Sequence, residues 1–233
     1  TALQFQTKFG SVSLNHEWVD PGYQTLGALF FNNDFENWTV ASSASIKEGK
    51  VILSGTAGIQ RNNLRDNQIN ANRRLIGALN ANLILSERLN LNASYSNFAV
   101  TNRLRAITFP VTLVDSIILS QVNTSANIGL SRVAGSEKNI TTVFTAAYQQ
   151  ANSIENDEVV AGQSSRNYMA NLMHNHTLIT SKTTLSASFM FNRNENALTS
   201  INSFASTVAA ARPLIQDKLQ LRASLSHIAI SSN

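Results

Sequence analysis

The stretch Leu89-Asn90-Leu91-Asn92-Ala93-Ser94-Tyr95-Ser96 alternates without a break, with an apolar side chain at every odd position and Asn or Ser at every even one. A period of two belongs to a β-strand, so this stretch carries one apolar and one small-polar face. The pattern recurs along the chain. Val51, Leu53, Gly55, Ala57 and Ile59 oppose Ser54, Thr56 and Gln60. Val122, Ala126, Ile128 and Leu130 oppose Asn123, Ser125 and Asn127. Leu185, Ala187, Phe189 and Phe191 oppose Thr184, Ser186, Ser188 and Asn192, and Leu219, Leu221, Ala223 and Leu225 oppose Gln220, Arg222, Ser224 and Ser226. Two folds answer such a pattern. A soluble two-sheet protein buries the apolar face; a transmembrane β-barrel turns it to lipid and its polar face to a lumen.

Composition favours the second. Charged residues make up only 14% of the chain, where a soluble domain carries about 25%. Asn, Ser and Thr take their place, and the polar faces are poor in the Lys and Glu that protect soluble sheets. No apolar run approaches the roughly 20 residues of a membrane-spanning helix. There is no Cys, which removes disulfides, thiolate metal sites and a Cys nucleophile. The net charge of +4 is spread out. It fits contact with anionic lipid or lipopolysaccharide and gives no sign of nucleic-acid binding.

Short turns set the register. Lys47–Lys50, Ser86–Arg88, Val133–Lys138, Ser181-Lys182 and Pro213–Lys218 each join two alternating runs and hold the Gly, Ser, Pro and charged residues that tight connections need. Between these hairpins lie the polar stretches Arg61–Arg74, Ala99–Asp115 and Ala151–Ser165, and the shorter Arg193–Thr199, all expected as loops. Short turns at one end and long loops at the other give an orientation: turns periplasmic, loops extracellular. Trp18, Trp38, Phe98, Tyr148 and Tyr168 fall near expected strand ends, where an aromatic girdle sits.

The expected fold is all-β: an antiparallel transmembrane β-barrel with about 12 to 14 strands in this chain. Residues 1–233 read as a single barrel domain or barrel fragment, with 1–37 the least regular part. Leu3, Phe5 and Phe9 alternate, as do Val12, Leu14, His16 and Trp18; Asp20-Pro21-Gly22 is a turn, and Tyr23–Phe31 reads as strand or ordered loop. The last strand, counted from the short turns, ends outside, and no C-terminal aromatic follows it. The expectation is therefore a piece of a larger barrel or one lacking its closing strand. The start at Thr1, without Met or signal peptide, predicts a mature or partial chain.

The segments Tyr23–Asp34, Glu36-Asn37-Trp38-Thr39 and Gly58–Leu64 resemble outer-membrane β-barrel proteins of the Bacteroidetes type, and more distantly TonB-dependent receptors, without a recognisable plug or TonB box. The resemblance implies an outer-membrane address and a non-enzymatic role, and it brings no catalytic residue.

Candidate sites follow from face and charge. Asn80, Asn82, Asn90, Asn92, Ser94, Gln220 and Arg222 are expected to line a lumen, and Lys8, Lys218 and Arg222 there would tune it toward anions. Arg61, Arg65, Arg73 and Arg74 crowd one expected loop, and Arg103 and Arg105 the next. Guanidinium forks match phosphate, so these six are candidates for contact with lipopolysaccharide or another anion; ordinary solvated loop charge is the plain alternative. His174 and His176 share a strand face, but no third metal ligand is visible. Glu155, Asp157 and Glu158 cluster without calcium-loop spacing. No nucleophile elbow surrounds any Ser. No catalytic residue, metal or cofactor is therefore expected.

The expected function is a conduit for small polar solutes. One alternative is a non-catalytic scaffold subunit of an outer-membrane secretion, assembly or uptake complex, contacting other outer-membrane or periplasmic proteins. Small residues on the apolar face (Gly55, Ala57, Ala93, Ala126, Ala187, Ala223) permit such contact. A membrane-embedded hydrolase is the least supported alternative.

Overall fold

A computed structural model of the chain describes residues 1–23, 33–108, 112–135, 139–156, 158–160, 163–214 and 219–232, with the side chains of 105–108 and 112–116 outside the description. Thirteen strands follow one another: β1 (Ala2–Thr7), β2 (Gly10–Val19), β3 (Phe35–Ile46), β4 (Val51–Asn62), β5 (Asn70–Ser86), β6 (Leu89–Thr108), β7 (Thr112–Ala134), β8 (Ile140–Glu155), the two-residue β9 (Glu158–Val159), β10 (Ser165–Leu178), β11 (Thr183–Asn196), β12 (Ser200–Leu214) and β13 (Leu219–Ser232). They form one antiparallel meander in sequence order, with β9 attached to β8 alone. Among the described residues there is no α-helix. The chain divides into two compact units, Thr1–Ala81 with Tyr95–Ser125 and Gln150–Ser164, and Asn82–Ser94 with Ala126–Gln149 and Ser165–Asn233.

Lys47–Lys50, Ser86–Arg88 and Ser181-Lys182 connect strands as expected; of the other two expected turns, Val133-Ala134 and Pro213-Leu214 are strand ends, while 136–138 and 215–218 lie outside the described residues. At Lys47-Glu48-Gly49 three successive residues have positive φ, with Gly49 at +86°. Such a turn matches the right-handed twist of the strands it joins.

All four expected loops need correction; Arg193–Thr199 shortens to the three residues between Asn196 and Ser200, because β11 runs to Asn196. Ala99–Asp115 is strand over most of its length, because β6 runs 20 residues and β7 runs 23. Its Val, Thr, Ile and Leu favour extended backbone. Its polar groups pair across strands: Asn72 Nδ2 donates to Asn102 Oδ1 at 2.8 Å, and Thr101 and Ser120 hydroxyls meet at 3.0 Å. Arg61–Arg74 contracts to the loop between Asn62 and Asn70. Ala151–Ser165 likewise carries the end of β8 and the Glu155–Glu158 pair of β9, while Asp157 lies outside the described residues. Lengthening moves Phe98 and Tyr148 into strand interiors, whereas Trp18, Trp38 and Tyr168 stay near strand ends. Tyr23 closes the Asp20 turn; the rest of Tyr23–Phe31 lies outside the described residues.

Registers define the faces. Across β1 to β4 the pairings Phe5↔Val12, Leu14↔Val40 and Val40↔Ala57 put Phe5, Val12, Leu14, Val40, Ala57 and their i±2 neighbours on one face. Gln4, Ser13, Asn15, Thr39 and Thr56 take the other. Across β10 to β13, Leu172↔Phe189, Ala187↔Val208 and Val208↔Leu225 do the same for an apolar face. Met173↔Ser188↔Thr207↔Ser226 mark its small-polar opposite.

In β3, β11 and β12 the exposure is the reverse of a water-soluble protein, whereas the terminal strands β1 and β13 are exposed on both faces. Val208 is 59% and Leu225 79% exposed, while Ala209, on the small-polar face beside them, is 8% exposed. In β3, Trp38 and Val40 are exposed while Asn37, Thr39 and Ala41 between and beside them are half-buried. Among the described residues Ala209 is the one buried hydrophobic side chain, and no side chain is fully buried. Among the described residues, then, neither unit has an apolar core. Along β13 the apolar positions change face after Leu225, so that Ile228 and Ile230 join the polar side.

Candidate functional site

Among the described residues, a dense polar arrangement sits at the loop end of the apolar face of β2 to β4. The tight turn at Lys47–Lys50 fixes the β3–β4 register and so places Glu36 opposite Arg61, while β2 places His16 opposite Trp38. The Glu36 carboxylate collects three donors. Trp38 Nε1 gives to Oε1 at 3.0 Å, His16 Nε2 to Oε1 at 3.2 Å and Arg61 Nε to Oε2 at 2.7 Å. Arg61 Nη2 adds a second contact to Oε2 at 2.6 Å. The His16 ring stacks on Trp38 at 3.9 Å between centroids. Glu36 keeps 12% of its side-chain exposure and Arg61 63%. The carboxylate thus acts as an anchor that holds one guanidinium and two rings in place.

Beside it opens a cleft of about 620 Å³, lined by Trp38, Ile59, Arg61, Arg73, Thr101 and Arg103, with Leu64 and Asp66 of the β4–β5 loop at its rim. Arg73 and Arg103 are exposed. Among the described residues neither meets a carboxylate, so this wall presents cationic forks without internal partners.

The β4–β5 loop is held by two buried polar residues that sequence reading did not single out, Asp34 at 6% and Asn63 at 5% exposure. Asp34 Oδ1 accepts the Leu64 N–H at 2.8 Å and Oδ2 accepts Gln68 Nε2 at 2.6 Å. Asn63 Oδ1 accepts the N–H groups of Asn67 and Gln68, and its Nδ2 donates to Gln68 O. Both have positive φ, 62° and 57°, where Asp and Asn are better tolerated than most residues.

The six arginines expected as loop residues therefore separate. Arg61, Arg73 and Arg103 are strand residues that converge on the cleft. Arg65 is the one in the loop, and it pairs with Asp20 at 3.1 Å. Arg74, also in a strand, lines a smaller cleft of about 80 Å³ with Phe35, Gln60, Asn62 and Asn72, on the small-polar face. Arg105 lies in β6 with its side chain outside the described residues.

The lumen candidates fall on small-polar faces. Ser94 Oγ accepts from Asn127 Nδ2 at 3.3 Å. Asn92 stands over Gly129, where an added Cβ would come within 2.4 Å of Asn92 Oδ1. Asn90 follows on the same face, its Oδ1 buried and without a partner. Gln220 and Arg222, opposite Pro213 and Ala211, share the face of Ala209. Leu79 packs against Gly55 on the apolar side, which turns Asn80 to the other side of β5; Asn82 follows by two. Lys8 is not a face residue: it sits in the β1–β2 turn with its ammonium 5.9 Å from the Phe9 ring centroid. Lys218 lies outside the described residues.

His174 and His176 lie on the apolar face, opposite Ala187 and Leu185. His174 Nδ1 is hydrogen-bonded to Thr142 Oγ1 at 2.9 Å. Among the described residues no three His, Asp or Glu side chains gather as a metal site.

His16, Glu36 and Trp38 were missed because their signal is pairwise. Glu36 and Arg61 are equidistant from the Lys47–Lys50 turn, a symmetry that a face-by-face reading of single strands ignores.

No protein family matches the chain, and no curated protein matches it in sequence. Among solved structures it is similar to CdiB from Acinetobacter baumannii, at 13% identity and a TM-score of 0.41, over 94% of this chain and 44% of that one. The chain thus spans less than half the length of that protein.

Proposed function

We propose that this chain is wall of a β-barrel in a bacterial outer membrane, and that its small-polar faces border a path for small polar solutes. The observation that carries the reading is the reversed exposure. In β11 and β12 large apolar side chains such as Phe189, Phe204 and Val208 are exposed, while Ser186, Ser188, Asn192, Ser203 and Thr207 on the opposite face are the more covered. Full burial of such a side chain is worth about 1.5–3 kcal/mol, and the exposed fraction of that is forgone in water. A sheet without an apolar core has nothing to set against the entropy of ordering its chain. Lipid supplies the missing apolar surroundings, and an antiparallel sheet can satisfy its backbone there only by closing or by pairing its edges. Both Asn90 Oδ1 and Asn192 Oδ1 are buried with no protein donor, and hydration of the polar faces answers them. The role proposed is non-catalytic. The resemblance of Tyr23–Asp34, Glu36-Asn37-Trp38-Thr39 and Gly58–Leu64 to Bacteroidetes-type barrels implies the same address.

A scaffold role is the second reading. Ala57, Ala187 and Ala223 on the apolar faces would admit close protein contact; Gly55 would not, because Leu79 already covers it.

The test is reconstitution of the full chain, extracted in mild detergent, into planar bilayers. Discrete conductance steps that fall with solute size support the conduit. Protease-protected insertion without conductance, together with stoichiometric partner proteins in the native extract, supports the scaffold instead. Solubility without detergent overturns both.

A further inference from the structure

We infer that the cleft flanked by Trp38 and by Arg61, Arg73 and Arg103 binds the phosphate of an anionic lipid headgroup, with the acyl chains lying down the apolar face below it. This rests on the barrel reading above. The cleft opens on the same face as Val40, Leu53 and Ile59, at its loop end. A molecule seated there is charged where the guanidiniums stand and apolar where the strands continue, which is the build of a phospholipid or phosphorylated glycolipid. Arg61 is held in place by Glu36, so its ordering is already complete before a ligand arrives. Arg73 and Arg103 meet no carboxylate among the described residues. Three guanidiniums line the cleft together with the carboxylates of Glu36 and Asp66. The Trp38 ring, pinned by its N–H to Glu36 and by stacking on His16, places an aromatic at headgroup depth. Guanidinium forks match phosphate oxygens two at a time, so an anionic phosphate fits this wall better than an uncharged headgroup.

The experiment uses the full chain in phosphatidylcholine nanodiscs doped with diphosphorylated lipid A or with its dephosphorylated form. Bound lipid is counted by native mass spectrometry and Trp fluorescence is read in parallel. The expected result is about tenfold preferential retention of the phosphorylated form. That preference should vanish in R73Q/R103Q and persist in R65A, whose guanidinium is tied to Asp20 outside the cleft. Arg61→Lys, a second and milder variant, should weaken it. Equal retention of the two forms overturns the inference, as does an unchanged preference in R73Q/R103Q. Displacement by millimolar inorganic phosphate as effective as by lipid makes the site one for free phosphate and overturns the lipid assignment. Protection from protease in the same discs reports insertion separately. A wild-type chain that inserts but shows no preference removes this inference alone; one that stays outside the discs removes the barrel reading with it.

Discussion

The β1–β4 and β10–β13 regions are built from the same alternation, yet only the first ends in a site. In β10 to β13 the apolar face runs Leu185, Ala187, Phe189, Phe191 along β11 and meets Val208 and Leu225 alongside. At its loop end Tyr148 and Tyr168 lie 5.1 Å apart, and Arg193 pairs locally with Glu195. In β2 to β4 the same order of aliphatic, aromatic and cationic residues appears, but Glu36 draws Arg61, Trp38 and His16 together across three strands. A loop braced by Asp34 and Asn63 closes the rim. The difference shows that alternation places a sheet relative to its solvent, whereas one misplaced-looking carboxylate on an apolar face organises a site.

The sharpest way to break this comparison is to put a charge on each face of β11. Phe189→Arg should cost about 2–4 kcal/mol of stability in lipid vesicles, the penalty of a cation on a lipid-facing position. Ser188→Arg, on the opposite face, should cost well under half of that, as read by denaturant titration of the inserted protein. Equal losses would mean that the apolar face does not meet lipid. The next largest effect concerns the loop brace. Asp34→Ala leaves the Leu64 N–H and the Gln68 amide without their acceptor and should cost about 1–3 kcal/mol. Hydrogen exchange at residues 64–68 should accelerate, while β10–β13 stay as protected as before. Asp34→Asn, which keeps one acceptor and tolerates positive φ, should lose less. A global rather than local loss would mean that the brace supports the whole unit. Gly10→Ala tests the packing of β2 on β3, because a Cβ there would stand 1.9 Å from Ser43 O. The strand must shift, and overpacking of this kind costs about 1–3 kcal/mol. The smallest effect is expected at Arg65→Ala. Its pair with Asp20 is exposed on both sides, and such pairs contribute about 0–1 kcal/mol; a larger change would promote Arg65 into the site.

Much of this was legible in the chain. The short turns at Lys47–Lys50, Ser86–Arg88 and Ser181-Lys182, the partition of Val51–Ile59 and Leu185–Phe191 into faces, and the placement of Asn90, Asn92 and Ser94 opposite their apolar neighbours are local properties, the faces following from a period of two. Less legible was the extent of β6 and β7. Asn, Arg and Thr between Ala99 and Asp115 look like loop residues until their cross-strand partners Asn72 and Ser120 are known. The arginines illustrate the same limit: six cations in two stretches of sequence look alike, and pairing sorts them into a converging trio, a tethered loop residue and one on the polar face, with the side chain of Arg105 outside the description.

By itself, then, the sequence determined that the chain is a meander of antiparallel strands, each with an apolar and a small-polar side, because side-chain direction in a strand depends only on residue parity. Tertiary structure decided which side is exposed, how far the long strands run, and that Glu36, Arg61, Arg73 and Arg103 meet. Those outcomes depend on register between strands distant in sequence, and register is a property of pairs that no single strand encodes.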